Sequence, residues 1–419
     1  YDIKICKDVV GSNIYLYGSA RTNITNQVGK IEVYGGNYAR IAGYVRSNPM
    51  VDVVGKEANI TVGGTANVTT VIAGSASGGI ENAIVNITVM DEGTVGTLVG
   101  SCQGFSNAYS PYSGTTTINI KGGKVTNIYG AGSGRTTGIP KFLGDMNINV
   151  SGGQVGNIYG SGSAAYVIST AERISNINIS ASGGTIGNIY AAGIGGDKDV
   201  EGGSQNETKP DRITLPEDFG SLTGKADITI DNDAVITGNI YASGQGYTQK
   251  DYGKGNAYLD GEANITVNGG TIKGNIYGGG EGVNKAGFEK SARVCKNSKV
   301  TVEIKGGLIE GYVYGGGKVA EVEGSTNVII SGGTIKGNVY GGGEAGLTHG
   351  RAAVHMANGT VNGSIYGGAL GKVGDRFVYG GSTVNMTGGW VRGNVYGGSE
   401  LSNDGKSGEQ DEKSASGLV

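Results

Sequence analysis

Hydrophobic and polar residues alternate along this chain in short runs that keep returning. Ile60-Thr61-Val62, Ile87-Thr88-Val89, Ile118-Asn119-Ile120, Ile148-Asn149-Val150, Ile177-Asn178-Ile179, Ile228-Thr229-Ile230 and Ile265-Thr266-Val267 share one pattern. A period of two predicts a half-buried strand, with Ile and Val turned inward and Thr or Asn outward. A pair such as Gly332-Gly333 follows most of these runs, and its tolerance of positive φ suits a sharp corner. A second apolar piece comes next, as in Thr271-Ile272-Lys273-Gly274-Asn275-Ile276-Tyr277, and ends in another Gly-rich corner. Nowhere do apolar residues keep the i, i+3, i+4, i+7 spacing of a helix.

With the second residue of the corner pair as a register mark, equivalent positions fall at Asp8, Gly36, Gly64, Gly93, Gly123, Gly153, Gly184, Asp233, Gly270, Gly307, Gly333, Gly359 and Gly389. These thirteen units are separated by 28, 28, 29, 30, 30, 31, 49, 37, 37, 26, 26 and 30 residues. A constant core with variable gaps is the signature of a solenoid whose insertions project from its surface. The long gaps fall at 191–223, 242–262 and 281–298, and all three are polar and loop-like.

The second piece has two lengths. Early units read Val155-Gly156-Asn157-Ile158-Tyr159, and later ones Ile335-Lys336-Gly337-Asn338-Val339-Tyr340. A one-residue slip inside a continuous strand would turn every later side chain to the opposite face. Because the apolar residue and Tyr persist beyond the insertion, a corner or bulge near Gly-Asn must absorb it. Each unit then has at least three short strands around a core. The expectation is an all-β chain forming a right-handed parallel β-helix of about thirteen coils over residues 1–399. The hand follows from the crossover rule for parallel strands. A polar tail, 400–419, is expected to clasp a neighbouring subunit.

Stacked coils place like residues on like, ~4.8 Å apart. An Asn column (Asn127, Asn157, Asn188, Asn239, Asn275, Asn338, Asn394) should hydrogen-bond amide to amide. A Tyr column (Tyr129, Tyr159, Tyr190, Tyr241, Tyr277, Tyr314, Tyr340, Tyr366, Tyr396) should stack ring on ring. Structural stacking is its simplest role. The alternative is sugar binding on exposed rings, for which Tyr277, Tyr314, Tyr340, Tyr366 and Tyr396 are the candidates. A Thr column (Thr65, Thr94, Thr185, Thr271, Thr334, Thr360) is single and broken by Lys124, Gln154, Leu308 and Trp390, unlike the flat arrays of ice-binding helices.

Composition agrees with a solenoid. Gly supplies 84 of 419 residues and Pro only 5, which excludes collagen and polyproline linkers. The net charge of −3 comes from 33 basic and 36 acidic residues that are scattered, so no footprint for nucleic acid or an anionic membrane is expected. No apolar run approaches the ~20 residues of a transmembrane helix. Cys6, Cys102 and Cys295 are too few and dispersed for a disulfide framework or zinc site, and read as isolated small buried residues.

Little chemistry is offered. A polysaccharide lyase or hydrolase would need clustered carboxylates or a base beside a calcium site, and the acidic residues do not form a column in the repeat. Asp231 with Asp233, and Asp197 with Asp199, are candidate calcium ligands but read more simply as solvated turn carboxylates. His349 and His355 are the only histidines, and His355 occupies an outward strand position. Neither a nucleophile motif nor a phosphate-binding loop occurs. The chain is therefore expected not to be an enzyme and to need no cofactor or metal.

The repeat, in particular Gly-Gly-Thr-Ile-Lys-Gly-Asn-Val-Tyr-Gly-Gly-Gly at 332–343, resembles units of large β-helical surface proteins and adhesins of bacteria. That resemblance implies an extracellular or cell-surface location and a role in scaffolding or adhesion. A recognisable wall anchor, outer-membrane barrel or secretion domain is lacking. The leading functional expectation is a stiff rod that associates end to end into a filament. Ile3 and Ile5 would lie on one open coil, and Val391 and Val395 on the complementary one. The alternative is an adhesin segment that binds glycan or a host protein through its loops or Tyr column.

Overall fold

A computed structural model describes residues 2–6, 14–19, 28–45, 51–75, 80–103, 110–134, 140–195, 219–246, 257–284, 290–371 and 376–404. Among these residues no helix forms, so none is long and apolar enough to cross a membrane. The chain is a parallel β-helix.

Its first ladder joins strands Asp2–Ile5, Val28–Val33, Val51–Val62, Ile80–Val89, Ser110–Ile120, Pro140–Tyr159, Asn176–Tyr190, Leu222–Ile230, Leu259–Val267, Lys299–Ile304, Thr326–Ile335, Ala352–Val361 and Ser382–Met386. Every neighbouring pair in that series is parallel. Thirteen strands in one ladder are the thirteen coils that the repeat predicts. The inward series Ile60, Ile87, Ile118, Ile148, Ile228 and Ile265 has at most 1% of its surface exposed. The Thr and Asn residues between those apolar positions lie half-exposed, so the alternation is read correctly.

The corner after this ladder behaves as predicted at Gly333, where φ is +74° and a Cβ would lie 2.6 Å from the Gly306 carbonyl oxygen. Two register marks differ. At Gly93 and Asp233 the positive φ has moved to Asp91 (55°) and Asn232 (47°). Both corners are one residue longer: Val89 to Val95 spans six positions, whereas the partner Ile120 to Val125 spans five. Asp and Asn are the non-glycine residues that best tolerate this region. The mark at Asp8 lies outside the described residues.

The second side of each coil shows how the two unit lengths are accommodated. In early coils it is one strand, such as Lys124–Tyr129. From residue 235 onward it divides into two, such as Thr271–Ile272 and Ile276–Tyr277. The strand Asn176–Tyr190 carries both successors, pairing Ile186 with Ile236 and Tyr190 with Tyr241. The extra residue therefore sits in a break at Gly238-Asn239, where sequence reasoning places it.

The Thr column is real but begins elsewhere. Asn67, not Thr65, pairs with Thr94, and Val235 joins the interruptions. The polar tail is partly a coil element: Asn403 pairs with Arg376, and Leu401 N–H donates to the Leu370 carbonyl at 3.0 Å. Among the described residues, pairing with the preceding coil thus reaches Asp404. Residues 405–419, most of the first loop excursion and the middle of the second lie outside the described residues.

Candidate functional site: a carboxylate strip along the tyrosine column

The Tyr column is present over all nine members, with successive ring centroids 4.7–5.4 Å apart and planes within 26° of parallel. Offset stacking of this kind contributes about 0.5–1.5 kcal/mol per pair beyond burial. Glycine follows seven of the nine tyrosines, and Ala191 and Ala242 follow the other two. A Cβ at Gly315 would meet the Gly341 carbonyl oxygen at 2.1 Å.

The rings are not a surface. Tyr277, Tyr314 and Tyr340 are buried, and each has a neighbouring ring against both faces. A sugar needs an open ring face, and these three candidates offer none. Tyr366 is half-buried between Tyr340 and Tyr396. Tyr396, 43% exposed, stacks on one side only among the described residues. Alternation predicts which face a side chain takes, but not whether a following segment covers that face.

What covers the rings is the position four residues after each Tyr. Gln245, Glu281, Lys318, Glu344, Leu370 and Glu400 occupy it in successive coils. Their backbones are in register: Glu281 N–H donates to Gly244, Lys318 to Gly280, Glu344 to Gly317, Leu370 to Gly343 and Glu400 to Ala369. Three acidic residues therefore do share a column, contrary to the sequence expectation. They are easily missed because Lys318 and Leu370 alternate with them.

Each carboxylate reaches back two coils. Tyr190 donates its hydroxyl to Glu281 at 2.8 Å, Tyr277 to Glu344 at 2.5 Å, and Tyr340 to Glu400 at 2.5 Å. Tyr159 does the same with Gln245, a neutral acceptor, at 2.9 Å. Lys318 lies 3.2 Å from Glu281. Burial first, and then the adjacent carboxylate, pushes the Tyr190 and Tyr277 hydroxyls well above their usual range. Burial does the same to Tyr241, Tyr314 and Tyr340.

The Asn column is an amide ladder only in its early part. Asn157 donates to Asn127 at 3.1 Å and Asn188 to Asn157 at 3.0 Å. After the strand break the pattern changes. Asn239, Asn275 and Asn338 donate within their own coil to Tyr241, Tyr277 and Tyr340. Their Oδ1 atoms accept the backbone N–H of Asn275, Tyr312 and Ser364 in the next coil. The break removes a strand partner from those N–H groups, and an unsatisfied buried donor costs about 1–3 kcal/mol. The Asn side chain supplies the acceptor.

The remaining candidates stay apart. His349 lies 3.5 Å from Glu321 and stacks on Tyr379, while His355 sits between the strand partners Ile329 and Asn385. Asp231 accepts from Asn268 at 2.8 Å, and Asp197 and Asp199 lie outside the described residues. Among the described residues no three His, Cys, Asp or Glu side chains converge as metal ligands. Of the cysteines only Cys102 is buried, its thiol pushed up to about 12 by that burial; Cys295 is half-buried and Cys6 exposed. No family model, no curated protein and no solved structure matches the chain.

Proposed function

We propose that the chain is a structural rod of the extracellular or cell-surface kind, which joins copies of itself head to tail by continuing its own coil stack. The observation that carries this reading is the match between the two end faces of the described stack. Five side-chain columns run the length of the molecule, and each has an apolar residue at both ends. Following strand partners from coil to coil, Ile3 leads to Val384, Ile5 to Met386, Ile14 to Val391, Leu16 to Val395 and Tyr17 to Tyr396. Ile3, Ile5, Ile14, Leu16, Val384, Val391 and Val395 are only partly buried, packed against the core from one side.

Every internal coil contact already joins these columns in this register, so a second copy stacked on either face would repeat a geometry that the fold uses throughout. Among the described residues, Asp2–Ile5 at one end and Ser382–Met386, Trp390–Val391 and Val395–Tyr396 at the other pair on one side only. Open strand edges accept further strands, and a head-to-tail contact does not close, so the product is a filament. The surface location rests on the style of the repeat.

Light scattering across a concentration series tests the proposal. Mass that climbs with concentration is expected. A monomer mass throughout contradicts it.

A further inference from the structure

The hydroxyl–carboxylate strip has no evident need of charge if its only task is to fill hydrogen bonds, since Gln245 serves Tyr159 in the same geometry without one. Three of the column's hydroxyls nevertheless donate to carboxylates. A phenol that loses an electron becomes a very strong acid, and its radical persists only if the proton has somewhere to go. A carboxylate already holding that hydrogen is such a destination. The rings also form an unbroken series at 4.7–5.4 Å, short enough for an electron to tunnel from ring to ring. One end of the series, Tyr396, is open to solvent.

We propose that the tyrosine column is a one-electron relay. An outer-sphere one-electron oxidant withdraws an electron through exposed Tyr396, and the deficit moves inward along the stack. It comes to rest on Tyr340, Tyr277 or Tyr190. At Tyr277 the phenol gives its electron to the neighbouring ring, and so to the oxidant, while its proton passes along the existing bond to Glu344. The O–H bond of Tyr277 breaks and an O–H bond on Glu344 forms. The products are a neutral tyrosyl radical, a neutral carboxylic acid and the reduced oxidant. Tyr314 stands between Tyr340 and Tyr277, and Tyr241 between Tyr277 and Tyr190, as bridging rings. This relay operates within one copy and does not rest on head-to-tail association, which would leave Tyr396 open only in a free copy or at the exposed end of a filament.

The test uses the full chain with photogenerated tris(bipyridine)ruthenium(III) as oxidant, followed by electron paramagnetic resonance after freezing. The wild type is expected to give a long-lived tyrosyl radical. The variant Glu281→Gln/Glu344→Gln/Glu400→Gln keeps an acceptor oxygen at each hydroxyl, as Gln245 does, but removes the base. It should retain the wild-type circular dichroism and lose the long-lived signal. Equal yield and lifetime in the two proteins would overturn the proposal. Should the triple variant fail to fold, the wild type decides alone: radical formation should slow in deuterium oxide, and an unchanged rate would overturn it.

Discussion

Tyr277 and Glu344 stand on coils two apart and are joined by a hydrogen bond of 2.5 Å from hydroxyl to carboxylate. The bond spans an entire intervening coil, so it ties the stack together along its axis independently of the strand ladders. Glu344→Ala leaves a hydroxyl at the edge of a buried ring without its acceptor, which costs about 1–3 kcal/mol. Glu344→Gln should cost much less, because Gln245 makes the equivalent bond to Tyr159. Thermal unfolding of the two variants should therefore show a lower midpoint for the alanine variant and a near-native one for the glutamine variant.

Gly315 and Gly381 separate two reasons for glycine. A Cβ at Gly315 would collide with the Gly341 carbonyl oxygen at 2.1 Å, whereas Gly381 has φ of +80° and nothing within 4 Å of its would-be Cβ. Gly381→Ala should cost roughly 1–2 kcal/mol, the penalty of a left-handed conformation alone. Gly315→Ala forces neighbouring coils apart and should disturb the Tyr314–Tyr340 stacking as well. Near-ultraviolet circular dichroism, which reports ordered aromatic rings, should change for Gly315→Ala and not for Gly381→Ala.

Alkali should unfold this protein through its tyrosines. Burial raises the hydroxyls of Tyr190, Tyr241, Tyr277, Tyr314 and Tyr340 above the ~10 of an unfolded chain. An acid with a raised folded value contributes stability that is complete below the unfolded value. That stability falls as pH rises past ~10 toward the folded value, since the unfolded chain then releases protons that the folded one retains. A titration followed by tyrosinate absorbance should show these groups ionising together with the loss of β-structure. Gradual ionisation near pH ~10 with the fold intact would contradict the burial assigned to the column.

The repeat made most of the architecture readable. Ile60, Ile87 and Ile118 stack where alternation places them, and the inserted residue beside Asn239 falls at a strand break. Local pattern also yields the Tyr column, because a solenoid sets like residues on like. It does not yield contacts that skip a coil. Tyr277 and Glu344 are 67 positions apart, and neither residue is unusual within its own unit. The signal is the position four residues after each Tyr, visible only when every second coil is compared. The rearranged Asn hydrogen bonds are hidden for a related reason. Asn188 and Asn239 look equivalent in sequence, yet only the broken strand at Asn239 frees an N–H there, which the Oδ1 of Asn188 in the preceding coil accepts at 2.8 Å.

The most direct measurement is on the two end faces themselves. Val395→Asp and Ile3→Asp each place a charge on one face of the stack and leave the other intact. Either variant alone should remain short in electron micrographs. An equimolar mixture of the two should form dimers through the unaltered faces, which sedimentation velocity would resolve, while the wild type grows into filaments. Wild-type protein that sediments as a monomer at every concentration, or filaments unaffected by both substitutions, would contradict head-to-tail continuation of the coil.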